Sequence, residues 1–538
     1  MRPKGFSLVI IFLFILSLIP IHAFSCFKNL LKLNVEFIQK DTTEIKSTTK
    51  ALTYIDSSAI VLFTNEFRKF SPLKKELINF YRSRNGEPYW MSQLKLNQNG
   101  KILLGKIDHL EEEGLIGHFN DNPKIMKLLS DCSDKQICSI NTEIIITCRY
   151  LQYASYVWIG MDPSNISQLK WNIPSKKISF SELLNALNKK NDWYTNQPLI
   201  KEYQKLLAYL LQYENIQRKG TLFQFEQLPK GNIRVGEQHE VIIKVRKFLL
   251  AFGYIPSNNG SAIFDSILRN GLHEFQLRNG LPETDVITKT EINEMAIPVK
   301  SRIDQIKVNL ERIRWLPIYD SEEKLVINIP EFNLHVYGID SIMFNMKVIT
   351  GKTFQPTAVF HGDLEEIILC PYWNIPPGIL KNEIIPALNK NNNYLKQNNM
   401  EWNGKGIRQR PGYDNALGWI KFLFPNRYNI YMHDTPNKYL FEKNIRTFSH
   451  GCIRLENAKK LAVYLLRNQK EWKQNAIDSI IQKQKEKIIK LPKKIPVYIV
   501  YRTAWVDEKG KLNFRKDIYK KDGLLLQYLN QKKIPFNY

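Results

Sequence analysis

A chain of 538 residues with 43% hydrophobic content is too long for one core and too apolar to stay unfolded, so several packed domains are expected. Its net charge of +25 would suit nucleic acid, but the lysines are spread along the chain, with no compact basic block or nucleic-acid motif. Diffuse positive charge favours an anionic polymer instead, and it equally suits a protein that is simply basic throughout.

The chain opens with Arg2 and Lys4, then an almost wholly apolar run over 6–19, then Pro20 and Ile21-His22-Ala23. This has the form of a signal peptide, so residues 1–23 are expected to direct export with cleavage near Ala23. The run is short for a spanning helix, which needs about 20 residues, and a retained anchor is the alternative. Six cysteines (Cys26, Cys132, Cys138, Cys148, Cys370 and Cys452) are too few for a disulfide scaffold in this length. Cys132 and Cys138 are close enough to close a small loop in an oxidising compartment. No CxxC or HExxH spacing occurs, so neither a metal nor a cofactor is expected.

Residues 45–230 are mainly helical in pattern, as in Leu183, Leu184 and Leu187 or Ile145, Leu151 and Ala154. Residues 235–298 form a compact helical module. Val241, Val245, Phe248 and Phe252 recur at helical spacing, and Gly253 stands where a C-terminal cap would. Leu268, Leu272 and Phe275 then predict one buried helix face. From 300 to 525 a helix through Leu310 and Ile313 precedes short Val/Ile-rich segments at 325–329, 334–337, 344–350 and 366–369, which read as strands. Residues 378–407 read as helix followed by an Asn/Lys-rich loop. A strand through Tyr428, Ile430 and Met432 leads to His433, and Asn457 is placed to cap a helix carrying Leu461 and Leu465. Residues 497–501 and 511–514 read as closing strands, and the basic tail beyond them as loose.

The chemistry concentrates at Ser449-His450-Gly451-Cys452-Ile453-Arg454, sixteen residues after His433. A thiol attacks a carbonyl as thiolate, and an unperturbed cysteine is only about 3% ionised at pH 7. A nearby imidazole can take its proton, and a permissive glycine lets backbone N–H groups face a developing oxyanion. A buried structural cysteine beside two incidental histidines is the plain alternative.

These residues resemble the signature of the L,D-transpeptidases (YkuD-type catalytic domain): a His, some fifteen residues, then Ser/Thr-His-Gly-Cys, a hydrophobic residue and Arg or Asn. Arg410-Pro411-Gly412, Asn415-Ala416-Leu417-Gly418 and Lys421-Phe422 resemble the run before the catalytic His in large, cap-bearing members. Pro371-Tyr372-Trp373-Asn374-Ile375-Pro376 is similar to the family's Asn-Pro-x-Trp-Asn-Val-Pro segment, with Cys370 where Asn is usual. Tyr89-Trp90, Gly114-Leu115-Ile116 and Gly160-Met161-Asp162-Pro163 resemble landmarks of the scaffold domain of those members. The order of residues in 235–298 resembles the three-helix peptidoglycan-binding domain, although Glu283-Thr284-Asp285-Val286 departs from its usual Asp-Gly turn.

The resemblance implies a multidomain α+β protein. It has a helical N-terminal scaffold over 45–230, a small three-helix peptidoglycan-binding domain over 235–298, and a mainly-β catalytic domain over 300–525. A helical capping insertion at about 376–407 would cover the active site. Cys452 is then the nucleophile and His433 the proton acceptor and donor, with His450 in that role as the internal alternative. His450, Gly451 and the Cys452 N–H would line the oxyanion site, and Ser449, Asp434 or a neighbour would orient His433. Arg454, Tyr431 and Trp419 are assigned to substrate, Arg454 holding either a substrate carboxylate or the loop. The implied partners are peptidoglycan stem peptides as donor and acceptor, with penicillin-binding proteins as further candidates and no nucleic acid. The implied reaction is 3→3 crosslinking between diaminopimelate residues, with trapping by carbapenems expected. A cysteine hydrolase that trims wall peptides and a non-catalytic wall-binding scaffold are the rivals.

Overall fold

The computed structural model describes residues 54–538 except 116–122, 136–137, 162, 190–192, 195–196, 198, 221–222, 226–230, 318–322, 340 and 532–538. The expected signal segment and Cys26 lie outside the described residues. So do Ile116 and Asp162 of the landmark segments.

Helices α1 (Ser57–Glu66), α2 (Lys74–Ser83), α3 (Gln98–Asp108), α4 (Pro123–Asp134), α5 (Ile140–Ala154) and α6 (Phe180–Lys189) share one apolar core. α5 is its axis. A Ser139–Thr142 capping box starts it, and every residue from Thr142 to Ala154 is buried. Its buried Glu143 accepts the backbone N–H of Tyr89 at 2.7 Å, while Trp90 donates its indole N–H to Thr147 at 2.9 Å. Tyr89-Trp90 is therefore core architecture. Burial raises the Glu143 carboxyl to about 7, against the donation from Tyr89 and Trp90. Cys132 and Cys138 are joined in a disulfide, and Cys148, Cys370 and Cys452 are free.

Helix α7 (Lys201–Arg218) packs along α11 (Val299–Arg314). Between them along the chain come α8 (Val241–Ala251), α9 (Ser266–Arg278) and α10 (Lys289–Met295). Leu268, Leu272 and Phe275 are buried as their spacing predicts. Asp265 caps α9 by accepting from Leu268 N at 2.9 Å, and Gly253, at φ 71°, turns the chain after α8.

At the end of α11, Arg314 is buried and donates to Glu311 at 2.8 Å, to the Glu113 carbonyl at 2.6 Å and to the Tyr203 hydroxyl at 2.7 Å. Glu311 in turn accepts from Met161 N at 2.7 Å and from the Trp315 indole at 2.8 Å. Gly160 has φ 80°, and a Cβ there would lie 2.7 Å from the Glu311 carboxylate, so the landmark glycine lets the chain pass this pair. The clamp fastens the helical scaffold to the helix that leads into the sheet.

That sheet is built from β1 (Lys324–Asn328), β2 (Asn333–Tyr337), β3 (Ile342–Gly351) and β4 (Val359–Leu369), then β8 (Ile420–Leu423), β9 (Met432–His433), β10 (Thr447–Ser449), β11 (Ile453–Leu455) and β12 (Lys487–Val500). Its order is β8-β9-β11-β3-β2-β1-β12-β4, with the two-residue strand Trp171–Asn172 beside β4 and β10 beside β3. β4 also pairs antiparallel with β8, so the path returns on itself. A register shift between Lys490 and Ile495 sets Pro492 where no ladder N–H is needed. α12 (Ala458–Leu465) follows, with Asn457 accepting from Lys460 N at 2.9 Å as expected of its cap. α13 (Gln474–Lys483) leads into β12.

Three expectations are corrected. The loop expected within 378–407 holds a hairpin, β6 (Met400–Asn403) and β7 (Gly406–Gln409), joined to β5 (Trp373–Asn374). Gly404, at φ 59°, makes its two-residue turn, and Ile375, Ile384 and Ile407 form a small core under it. Residues 511–514 do not close the large sheet. β14 (Leu512–Phe514) pairs with β13 (Ala504–Val506), and both join the core of α7 to α11. The basic tail is a helix, α14 (Lys521–Gln531), because Asp517 accepts from the N–H groups of Lys521 and Asp522, and Asp522 pairs with Arg312 at 2.6 Å. Cys370 sits at φ 50°, a left-handed conformation that asparagine adopts more readily than cysteine.

No helix among the described residues is long and apolar enough to cross a membrane, and no group of His, Cys, Asp and Glu there could hold a metal.

Candidate active site

The parallel pairing of β9 with β11 places Met432 opposite Ile453 and His433 opposite Arg454. Residues two apart on a strand share a face, so Tyr431 and His433 look the same way as Cys452 and Arg454. They line a cavity of about 770 Å³ with Lys421, His450 and Ser449. Ile375, Ile379 and Glu383 form its other wall. Cys148 and Cys370 are buried, whereas Cys452 is partly open to this cavity.

Several bonds hold the loop carrying Cys452. Ser449 Oγ donates to the Cys452 carbonyl at 2.5 Å and accepts from Gly451 N at 3.1 Å. Lys352 N donates to the Ser449 carbonyl at 2.9 Å, and Thr357 Oγ1 donates to the Gly451 carbonyl at 2.8 Å. Gly451 takes φ 114°, a conformation that a side chain would strain. Ser449 therefore shapes the loop rather than orienting His433, and the Gly451 N–H is spent on Ser449. Of the N–H groups expected to face an oxyanion, those of His450 and Cys452 remain.

His433 is buried, with Nδ1 at 2.5 Å from the Asp434 carbonyl. Nδ1 thus donates to that carbonyl, and Nε2 is left as the basic nitrogen. The Asp434 carboxylate has a different task. It accepts from Trp419 N at 3.0 Å and from Lys438 at 2.6 Å, tying the turn before β8 to the end of β9. Gly418, at φ 59°, approaches it so closely that a Cβ would lie 2.5 Å from its oxygen. That turn leaves the Trp419 indole packed on the core of the sheet, outside the cavity where substrate was expected to meet it.

Burial, the Arg454 guanidinium and Lys421 push His433 down to about 3 against the pull of the Asp434 and Leu417 carbonyls, so the ring is neutral at ordinary pH. Burial raises the Cys452 thiol, while the Tyr431 backbone, Lys421 and Arg454 favour the thiolate. The resting pair is a neutral thiol beside a neutral imidazole, not a sulfur already deprotonated. The thiol donates to the Asn429 carbonyl at 3.8 Å rather than to His433. Arg454 is half-buried, and its buried Nε has no hydrogen-bond partner among the described residues. A buried N–H without a partner is costly, so an anion entering the cavity beside Arg454 would be favoured.

His450 also lines the cavity, but its ring is paired with a carboxylate. Its Nε2 lies 3.0 Å from Glu383 in the capping insertion, the two side chains being 30% and 53% exposed. At that exposure the pair contributes little to global stability. Glu383→Ala is expected to leave the melting temperature unchanged while amides in 377–397 exchange hydrogen faster, with sheet amides as the control. Equal protection in both proteins would show that the contact does not hold the insertion.

Lys421 and Glu383 are the site residues that reasoning from sequence did not single out. Lys421 was legible only as part of the run before His433, and Glu383 carried no signal.

Two sequence comparisons bear on this architecture. The family model described as the L,D-transpeptidase catalytic domain (YkuD) matches residues 322–488, and a scaffold-domain model matches 75–210. A Haemophilus influenzae protein provisionally named an L,D-transpeptidase is 29% identical over 249 residues, covering 42% of this chain and 50% of the relative. The match thus spans half the length of that curated protein. Among solved structures, an L,D-transpeptidase from Xylanimonas cellulosilytica is 12% identical, over 51% of this chain and all of that one, with a TM-score of 0.18. One from Mycobacterium smegmatis is 12% identical, over 33% of this chain and 58% of that one, with a TM-score of 0.19. At such scores these two likenesses add nothing to the sequence matches.

Proposed function

We propose that this chain, which carries the catalytic domain of the L,D-transpeptidase family at residues 322–488, crosslinks peptidoglycan stem peptides through a thioester on Cys452. The observation that carries this reading is the position of Cys452. Among the described free cysteines it alone is not buried, and it opens on a cavity that also holds His433 and Arg454.

His433 Nε2 takes the thiol proton as the sulfur attacks the carbonyl on the L-centre of diaminopimelate in a tetrapeptide stem. The S–C bond forms, and the oxyanion is met by the N–H groups of Cys452 and His450. When the tetrahedral centre collapses, the C–N bond to the terminal D-alanine breaks, and His433 returns its proton to that leaving amine. The side-chain amine of a second stem then attacks the thioester carbonyl and gives up a proton to His433, the C–S bond breaks, and the sulfur leaves to be reprotonated as the thiol, making a 3→3 crosslink. Arg454 holds a stem carboxylate, which satisfies its orphaned Nε. The insertion closed by Glu383 excludes water, which would otherwise resolve the thioester and yield a shortened stem. Carbapenems would acylate the same sulfur. The helices of 235–298 would hold the wall polymer, and residues 1–23 would place the enzyme in the envelope, where penicillin-binding proteins are candidate partners.

The test is product analysis. The protein is incubated with tetrapeptide-rich sacculi, and the muramidase digest is read by mass spectrometry. New 3→3 dimers and free D-alanine are expected. Shortened stems without dimers would replace the crosslinker with a hydrolase, and unchanged muropeptides would end the enzymatic reading.

A further inference from the structure

Strand register sets three side chains in one row beside the thiol. Lys421 on β8 stands opposite His433 on β9, and His433 stands opposite Arg454 on β11. All three face the cavity that holds Cys452. The row therefore reads cation, imidazole, cation. Lys421 Nζ lies 4.1 Å from the centroid of the Tyr431 ring, and Ile453 N donates to the Tyr431 carbonyl at 3.1 Å, which keeps that ring beside Cys452.

The charges around this group are few. Glu366 and Glu486 act on Lys421 from a distance, and the negative charge that would form on Cys452 acts on it more strongly than either. His450 pairs with Glu383, which leaves the sulfur with Tyr431, Lys421 and Arg454 acting on it, in a cavity that the neutral His433 also lines. Among the described residues, the charges that act on a thiolate formed here are the two cations Lys421 and Arg454, while the Glu383 carboxylate of the same cavity is paired with His450. This differs from a thiolate–imidazolium pair, because a ring flanked by two cations resists taking a lasting positive charge.

We infer that Lys421 is a positioning residue for the reaction, its ammonium seated on the Tyr431 ring so that negative charge is favoured on the Cys452 sulfur while His433 only carries the proton. The inference rests on Cys452 as the nucleophile and deepens that reading. His433 then works as a shuttle, and the field of Lys421 and Arg454 sets how readily the sulfur ionises.

The test is the pH profile of Cys452 alkylation by iodoacetamide in the full chain, read by mass on the peptide that carries Cys452. A cation within about 4–6 Å shifts a neighbouring group by roughly 1–3 pH units, and distance through the Tyr431 ring argues for the low end. Lys421→Met and Lys421→Gln are each expected to move the profile up by about one pH unit, a roughly tenfold loss of rate at neutral pH. Lys421→Arg is expected to keep the wild-type profile. Met and Gln profiles that coincide with wild type would overturn the inference. So would an Arg profile displaced as far as the Met one, since the effect would then be packing and not charge. No peptidoglycan enters this assay. Failure to crosslink sacculi alongside a displaced profile would therefore sink the proposed function and leave this inference standing.

Discussion

Cys452→Ala is expected to abolish crosslinking and thioester formation, a loss on the order of 10⁶-fold if removing this nucleophile matches removal of a hydrolase serine. No other thiol among the described residues can take over, because Cys148 and Cys370 are buried and burial raises both, Cys370 to about 11. The fold should not notice. The sulfur's hydrogen bonds, a long contact of 3.8 Å to the Asn429 carbonyl and those to Tyr431, are weak sulfur contacts, so stability should change by no more than about 1 kcal/mol. The measurement is the intact mass after incubation with a carbapenem, beside a urea melt. Wild type is expected to gain one acyl group, and the variant none at equal stability. An adduct persisting in the variant would move the nucleophile elsewhere.

His433→Gln is expected to lower the acylation rate by about 10²–10⁴-fold at neutral pH, the usual contribution of a positioned general base. Because burial raises the Cys452 thiol, the variant must wait for solvent to ionise it. Its deficit should therefore shrink as the pH is raised. A constant deficit across the profile would mean that His433 positions the substrate and moves no proton. The same side chain predicts a stability effect. Its folded value of about 3 lies below the ordinary histidine value of about 6.5, so on acidification the unfolded chain binds a proton first. The contribution is intact above about pH 6.5 and is lost progressively down to about pH 3. Gln at this position should flatten that part of the acid-unfolding curve.

Much of this site was legible beforehand. The spacing of His433 and Cys452, the glycine between His450 and Cys452, and the cap at Asn457 are local patterns, and each has its counterpart in the structure. The same is true of the Leu268, Leu272 and Phe275 face, where period alone selects what is buried. The tail's helix is not legible locally because it depends on Asp517 and on Arg312, which lies some two hundred residues away. The Gly404 turn lies within an Asn/Lys-rich stretch that shows no strand period, and the turn that Asp434 pins, which sets the place of Trp419, leaves no mark along the chain.

By itself, then, the order of residues determined which groups could react: a cysteine, a histidine and an arginine at short range along the chain, since chemistry of that kind is a property of residue type and spacing. What only the tertiary structure decided is how those groups are charged and aimed. Strand register brought Lys421 beside His433, an insertion brought Glu383 to His450, and burial held sulfur and imidazole neutral. Electrostatic energies depend on distance through space and on exclusion of water, and neither can be read along a chain.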